Sequence, residues 1–147
     1  MKNILLISLL LLFTFSLKAQ SFKTTLNKKV DSINSILEKE KMVRFTNHNS
    51  DVFYPKKIKA NLQGDVFCVD SVVGEKTISQ RLIFNLLKVN SFVIKENEIK
   101  AFGQNKKPIV AIFIGNNQNR NALKKELDAL RYICINYSKQ NPKYKYD

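Results

Sequence analysis

Two segments of the chain repeat apolar residues at the spacing of a helix. They are Leu26, Val30, Ile33 and Leu37 in the first, and Leu123, Leu127, Leu130, Cys134 and Tyr137 in the second. Residues three or four positions apart share one helix face, so the first set predicts a helix over 25–41 and the second a longer helix that ends near Gln140. Thr24 or Thr25 is the predicted cap of the first helix, and Asn119 that of the second.

Between these helices, short apolar runs are separated by polar turn residues, which is typical of β-strands. The runs lie at residues 52–54, 58–62, 66–69, 81–89, 92–94, 99–102 and 109–114. Pro55 cannot donate a ladder hydrogen bond, so it indicates an edge or a strand end. Leu82, Phe84 and Leu86 recur at a period of two and predict a buried strand. Residues 46–50 are polar and predict a loop.

The short connections between consecutive strands favour antiparallel pairing, because parallel neighbours need long crossovers. The predicted class is therefore α+β: an N-terminal helix, an antiparallel sheet or small open barrel of about six strands, and a C-terminal amphipathic helix. This arrangement resembles a pleckstrin-homology-like shape. A similarity of shape implies no function.

The first residues of the chain have the pattern of a secretory signal peptide. A basic start, Met1-Lys2-Asn3, precedes the largely apolar run from Ile4 to Leu17. As a helix that run would measure about 21 Å, short of the roughly 30 Å hydrocarbon core, so an uncleaved membrane anchor is the poorer alternative. We predict that residues 1–19 are a signal peptide and 20–147 a single α+β domain, exported to the periplasm or secreted.

A leader that ends in Ala-Gln ahead of a Lys- and Asn-rich body resembles exported proteins of Bacteroidota. The stretches Gly64-Asp65-Val66-Phe67 and Ile83-Phe84-Asn85-Leu86, with the final amphipathic helix, are similar to small exported proteins of such bacteria. The resemblance implies a bacterial cell envelope. It implies no activity and no functional residues.

The residue types needed for catalysis and for metal binding are scarce. His48 is the only histidine, and it lies in a polar stretch flanked by Asn. The sequence has no C-x-x-C, H-E-x-x-H, EF-hand or glycine-rich phosphate-binding motif. We therefore predict no catalytic, cofactor-binding or metal-binding residues and no enzyme activity. A small envelope hydrolase with two carboxylates distant along the chain is the third alternative.

Cys68 and Cys134 are the two cysteines. Cys68 lies in a predicted strand and Cys134 on the apolar stripe of the last helix. Export permits a disulfide between them, which would fix the helix to the sheet. Two reduced core cysteines are the favoured alternative, because both positions are apolar and Cys behaves as a small hydrophobic residue.

The chain carries a formal net charge of +13, from 25 Lys and Arg against 12 Asp and Glu. Several lysines could form a surface for lipopolysaccharide, anionic lipid or nucleic acid, although an exported protein seldom meets nucleic acid. They are Lys56, Lys57, Lys59, Lys106, Lys107, Lys124, Lys125, Lys143 and Lys145.

These patterns together favour a non-catalytic binding or interaction module of the cell envelope. A polyanion-binding module is the first alternative. The expected partner is an envelope protein or an anionic surface component. An open sheet edge near Pro55 or after Phe102 would allow a partner protein to bind by adding a strand.

Overall fold

A computed structural model describes the backbone of residues 2–71 and 78–144, and the side chains of residues 17–69 and 80–143. The elements are α1 (Lys2–Glu38), β1 (Val43–Asn47), β2 (Val52–Phe53), β3 (Lys57–Ala60), β4 (Asp65–Ser71), β5 (Ile78–Asn85), a 3-10 helix (Leu86–Lys88), β6 (Ser91–Lys95), β7 (Glu98–Phe102), β8 (Pro108–Ile114), α2 (Asn117–Gln140) and a final 3-10 turn (Pro142–Tyr144). The predicted α+β class, with a helix at each end and antiparallel strands between, is confirmed.

The described strands form two antiparallel sheets. One has five strands in the order β2-β1-β8-β7-β6, and the other has three in the order β3-β4-β5. Both sheets contribute to one core, in which Phe45 of the first sheet and Ile58 of the second are fully buried. The hairpin predicted over residues 58–69 is β3-β4, and the one predicted around residues 95–98 is β6-β7.

The two long helices pack against each other and against the sheets. All four apolar residues of the stripe predicted in the first helix are buried, as are all five in the second. An ion pair joins Lys29 Nζ of α1 to Glu126 Oε2 of α2 at 3.0 Å, and the rings of Phe22 and Tyr137 meet edge to face with centroids 5.7 Å apart. Among the residues whose side chains are described, no helix is long and apolar enough to cross a membrane.

The predicted helix starts are wrong. In α1, Thr24 and Thr25 lie within the helix, where their hydroxyls donate to the carbonyls of the residues four positions earlier, at 2.9 and 3.0 Å. In α2 the cap is Asn116 instead of Asn119, because the Asn116 side chain accepts from the amides of Gln118 and Asn119. The predicted end of α2 at Gln140 is confirmed.

β1 is the element that the sequence analysis missed. It lies between β2 and β8 in the five-stranded sheet, with Val43 and Phe45 buried and Arg44 exposed. Its last two residues, Thr46 and Asn47, were predicted to belong to a loop because polar turn residues follow them directly. The described strands therefore number eight instead of about six.

The strand predicted over residues 81–89 is also corrected. β5 ends at Asn85, and the next three residues form the 3-10 helix. A register shift between β4 and β5 leaves Ile83 without an opposite residue, so Ile83 and Phe84 are both buried while Leu82 is 51% exposed. A bulge of this kind reverses the alternation that the period of two predicts.

One of the two predicted sheet edges is present. β2, which precedes Pro55, is an edge strand of the five-stranded sheet. Phe102 does not lie at an edge, because it ends β7, which is paired on both sides by β8 and β6.

Candidate functional site

Loops at one end of the five-stranded sheet line an open cleft of about 690 Å³. Three elements contribute to it: the turn after β1, the 3-10 helix before β6, and the β7–β8 turn. Its apolar part is formed by Leu87, Pro108 and Ile109, all three at least partly exposed. An apolar surface of this kind can contact the non-polar part of a ligand.

The polar part of the cleft is cationic. Lys88 and Lys107 line it together with His48 and the side-chain amides of Gln104 and Asn105. Among the lining residues that the structure describes, none is a carboxylate. Amides and ammonium groups both donate hydrogen bonds to anions, so this part of the cleft suits a negatively charged group.

The β7–β8 turn is held close to the 3-10 helix at a glycine. The Gly103 amide donates to the Lys107 carbonyl at 3.0 Å, and the Lys106 amide donates to the Gly103 carbonyl at 3.1 Å. A Cβ at Gly103 would lie 3.2 Å from Ile109 Cδ1 and 3.4 Å from the Lys88 carbonyl oxygen. The turn therefore lies in van der Waals contact with the 3-10 helix that carries Lys88.

On its other side, the 3-10 helix is fixed by Asn85, a buried residue. Its side-chain oxygen accepts from the Leu87 amide at 2.8 Å. Its side-chain nitrogen donates to the Gln63 carbonyl at 3.0 Å and to Asp65 Oδ1 at 2.7 Å. These three bonds attach the start of the helix to the β3–β4 turn.

The β3–β4 turn is itself closed by paired polar groups. Asn61 Oδ1 accepts from the Asp65 amide at 2.9 Å, and Asn61 Nδ2 donates to Asp65 Oδ2 at 3.1 Å. Gly64 has a φ of +87°, and its carbonyl accepts from the Leu86 amide at 2.7 Å. We call Asn61, Gly64, Asp65 and Asn85 the Asn85 junction.

Both cysteines lie in the core. Cys68 is on β4 and Cys134 on α2, and both are thiols. The Cys134 thiol contacts the Asn61 carbonyl at 3.6 Å, next to the Asn85 junction. Burial raises the pKa of Cys134 to about 12, and the nearby charge of Asp65 adds to the increase. A thiol that stays protonated in this way is a poor nucleophile.

The structure places the predicted lysines on several elements. Lys56 precedes β3, Lys57 and Lys59 are on β3, Lys106 and Lys107 are in the β7–β8 turn, Lys124 and Lys125 are on α2, Lys143 follows α2, and Lys145 lies outside the described residues. Two of them form ion pairs, Lys57 with Glu38 at 3.9 Å and Lys124 with Asp128 at 2.6 Å. Of the members of this set that the structure describes, Lys107 alone lines the cleft.

The sequence analysis did not connect the residues of the cleft. His48, Lys88 and Lys107 are separated by 40 and 19 positions and lie on three different elements. His48 is exposed, and no carboxylate, hydroxyl or thiol is found beside it among the described residues of the cleft lining. Within the part of the chain that the structure describes, no group of three or more His, Cys, Asp or Glu residues could hold a metal ion.

Comparisons with known proteins identify no family for the chain. No family model and no curated protein sequence matches it. Among solved structures, it is similar to the PH domain from PfAPH, with 14% identity and a TM-score of 0.45 over 71% of this chain and 90% of that one. It is also similar to the PH domain from TgAPH, with 16% identity and a TM-score of 0.43 over 76% of this chain and 94% of that one. Similarities at these TM-scores support no statement about function or ligand.

Proposed function

We propose that the chain is an exported protein of a bacterial cell envelope that acts by binding and not by catalysis. The leader over residues 1–19 supports export. The cleft supports binding, because it combines an apolar surface with cations and amides. Among the described residues that line it, no hydroxyl or thiol stands beside His48 to form a nucleophile–base pair.

The composition of the cleft favours an anionic ligand in particular. Lys88 and Lys107 supply positive charge, Gln104 and Asn105 supply neutral donors, and Leu87 with Ile109 supplies apolar contact. An envelope component that carries an anionic group on an apolar body, such as lipopolysaccharide or an anionic lipid, fits these features. This is the polyanion-binding alternative, proposed for one cleft instead of for the lysines of the whole surface.

Two lysine variants of the full-length protein test this function. Lys107→Gln removes a charge from the cleft, and Lys125→Gln removes the same charge from the exposed face of α2, where no ion pair of Lys125 is found among the described residues. With lipopolysaccharide and anionic vesicles as probes, we expect Lys107→Gln to weaken binding about fivefold. We expect Lys125→Gln to weaken it by less than about twofold.

Three other results would contradict the proposal. Equal losses in the two variants would assign binding to net charge instead of the cleft. Equal affinity for zwitterionic and anionic vesicles would exclude recognition of an anion. For export, mass spectrometry of the protein from its own envelope fraction should give an N-terminus near Gln20, and a chain that still begins at Met1 would be evidence against a cleaved leader.

A further inference from the structure

The turn between β1 and β2 carries His48 and is fixed by its own hydrogen bonds. Asn47 Oδ1 accepts from the Asn49 and Asp51 amides, both at 3.0 Å, and Asn47 Nδ2 donates to Asp51 Oδ2 at 3.0 Å. The Asn47 amide donates to the Asp51 carbonyl at 3.1 Å, and the Ser50 amide donates to the Asn47 carbonyl at 3.0 Å. Side-chain and backbone bonds together therefore hold the backbone on both sides of His48.

Strand pairing places this turn beside the β7–β8 turn. β1 pairs with β8 as far as Asn47 and Val110, so His48 follows at the level of Ile109. His48 and Ile109 both line the cleft, and Lys107, two positions before Ile109, lines it as well. The register of one strand pair therefore brings the imidazole to the same cleft as the lysine of the neighbouring turn.

The charges around His48 are mainly positive. Among the described residues that line the cleft with it, the charged ones are Lys88 and Lys107, and Lys106 lies in the same β7–β8 turn. Asp51 is the carboxylate of the turn that carries His48, where it accepts a hydrogen bond within the turn. A bound anion attracts a protonated imidazole, so anion binding and proton uptake at His48 strengthen each other.

Histidine is the residue type whose side chain ordinarily changes charge between about pH 5 and about pH 8. Aspartate, glutamate and lysine side chains ordinarily keep one charge over this range. His48 is the only histidine of the chain, and burial raises the pKa of Cys134 to about 12. A change of affinity over this range can therefore be traced to one side chain by substitution.

We propose that His48 is a third cation of the cleft and that its protonation makes the affinity for an anionic lipid rise as the pH falls. This inference rests on the proposed function, because it takes the cleft as the anion-binding site. The protonated imidazole donates hydrogen bonds from both ring nitrogens and adds its charge to those of Lys88 and Lys107, whereas the neutral ring donates from one nitrogen only. Binding of the anion is then linked to the transfer of a proton from solvent to the ring.

Calorimetric titration of the full chain tests the proposal with dihexanoyl-phosphatidylglycerol, kept monomeric, as the probe. Its phosphodiester keeps a single negative charge over the range used, whereas a phosphate monoester takes up a further proton near about pH 6. We expect the affinity to be about fivefold higher at about pH 5.5 than at about pH 8. Titrations near neutral pH in two buffers of different ionisation enthalpy should show that binding takes up a proton.

Three variants separate His48 from every other titrating group. His48→Gln has no charge at either pH and should reduce the difference in affinity to less than about 1.5-fold. His48→Lys is charged at both pH values and should bind at both as tightly as the unaltered protein does at the lower one. The matched control combines His48→Gln with Tyr132→His. Because Tyr132 is 66% exposed on α2, this variant keeps one histidine outside the cleft, and its affinity should not depend on pH.

Different results would overturn the inference and the proposed function. Equal affinity of the unaltered protein at both pH values, together with weaker binding by Lys107→Gln, would overturn the inference and leave the cleft as an anion site. A pH dependence that persists in His48→Gln would assign it to another group and would also overturn the inference. Equal affinity for the zwitterionic dihexanoyl-phosphatidylcholine, or no binding of either lipid, would overturn the proposed function and this inference with it.

Discussion

The Asn85 junction and the cleft both adjoin the same 3-10 helix, and both are rich in polar groups. In the junction, Asn85 is buried, and both polar atoms of its side chain have partners in the protein. In the cleft, Gln104, Asn105 and Lys107 are exposed. Buried and paired polar groups fix the backbone, whereas exposed polar groups gathered in a cleft can bind a ligand. Polar residues at the junction should therefore determine stability, and those at the cleft should determine affinity.

The largest expected effect is that of Asn85→Ala. The substitution leaves the Leu87 amide, the Gln63 carbonyl and one Asp65 oxygen without their partner, and we expect it to lower the free energy of unfolding by about 3 kcal/mol. Denaturant unfolding measures this change. Asn105→Ala in the cleft is the matched control and should shift stability by less than about 0.5 kcal/mol. Equal effects of the two substitutions would remove the distinction between the regions.

A smaller effect is expected for Gly64→Ala. At the φ of Gly64, +87°, an L side chain is strained, and the new Cβ would lie 3.1 Å from Leu87 Cγ. We expect a loss of about 2 kcal/mol in the free energy of unfolding. Gly115→Ala is the control, because a Cβ there meets no atom within 4 Å. If both alanine variants unfold at the same denaturant concentration, the β3–β4 turn does not need a glycine at position 64.

The smallest expected effect on stability is that of Lys107→Gln. Lys107 is exposed, and no ion pair involving its side chain is present among the described residues. We expect its thermal unfolding to match that of the unaltered protein within about 0.5 kcal/mol, although its affinity for an anionic ligand falls. A large loss of stability in this variant would show that the cleft lysine supports the fold.

The two helices could be predicted because their signal is local. The apolar stripe of each helix is visible within a short window of sequence, and every residue of both stripes is buried. β1 was missed because it has only five residues, of which the last two, Thr46 and Asn47, are polar and continue into polar turn residues. Leu82 was predicted to be buried, but the bulge at Ile83 turns it to the exposed face. Whether a strand forms such a bulge depends on its pairing with the opposite strand, here β4, which the sequence of β5 alone does not show.

The cleft could not be predicted from the sequence for a related reason. Lys107 was selected only as half of a lysine pair, and His48 only as the single histidine. Lys88 lies in a segment predicted to be a strand, but it belongs to the 3-10 helix that Asn85 fixes. Three connections that are distant from one another in the sequence bring these residues together in the fold. No spacing along the chain therefore predicts the cleft.

The packing of α1 against α2 has a consequence for the order of folding. These are the first and last long elements of the chain, and Lys29 and Glu126, which join them, are almost 100 positions apart. Closing so long a loop is entropically costly, and contacts of this range form late. While the C-terminal part is still being synthesised, Leu26 and the rest of the α1 stripe have no helix to cover them. The domain therefore closes only after synthesis has reached α2.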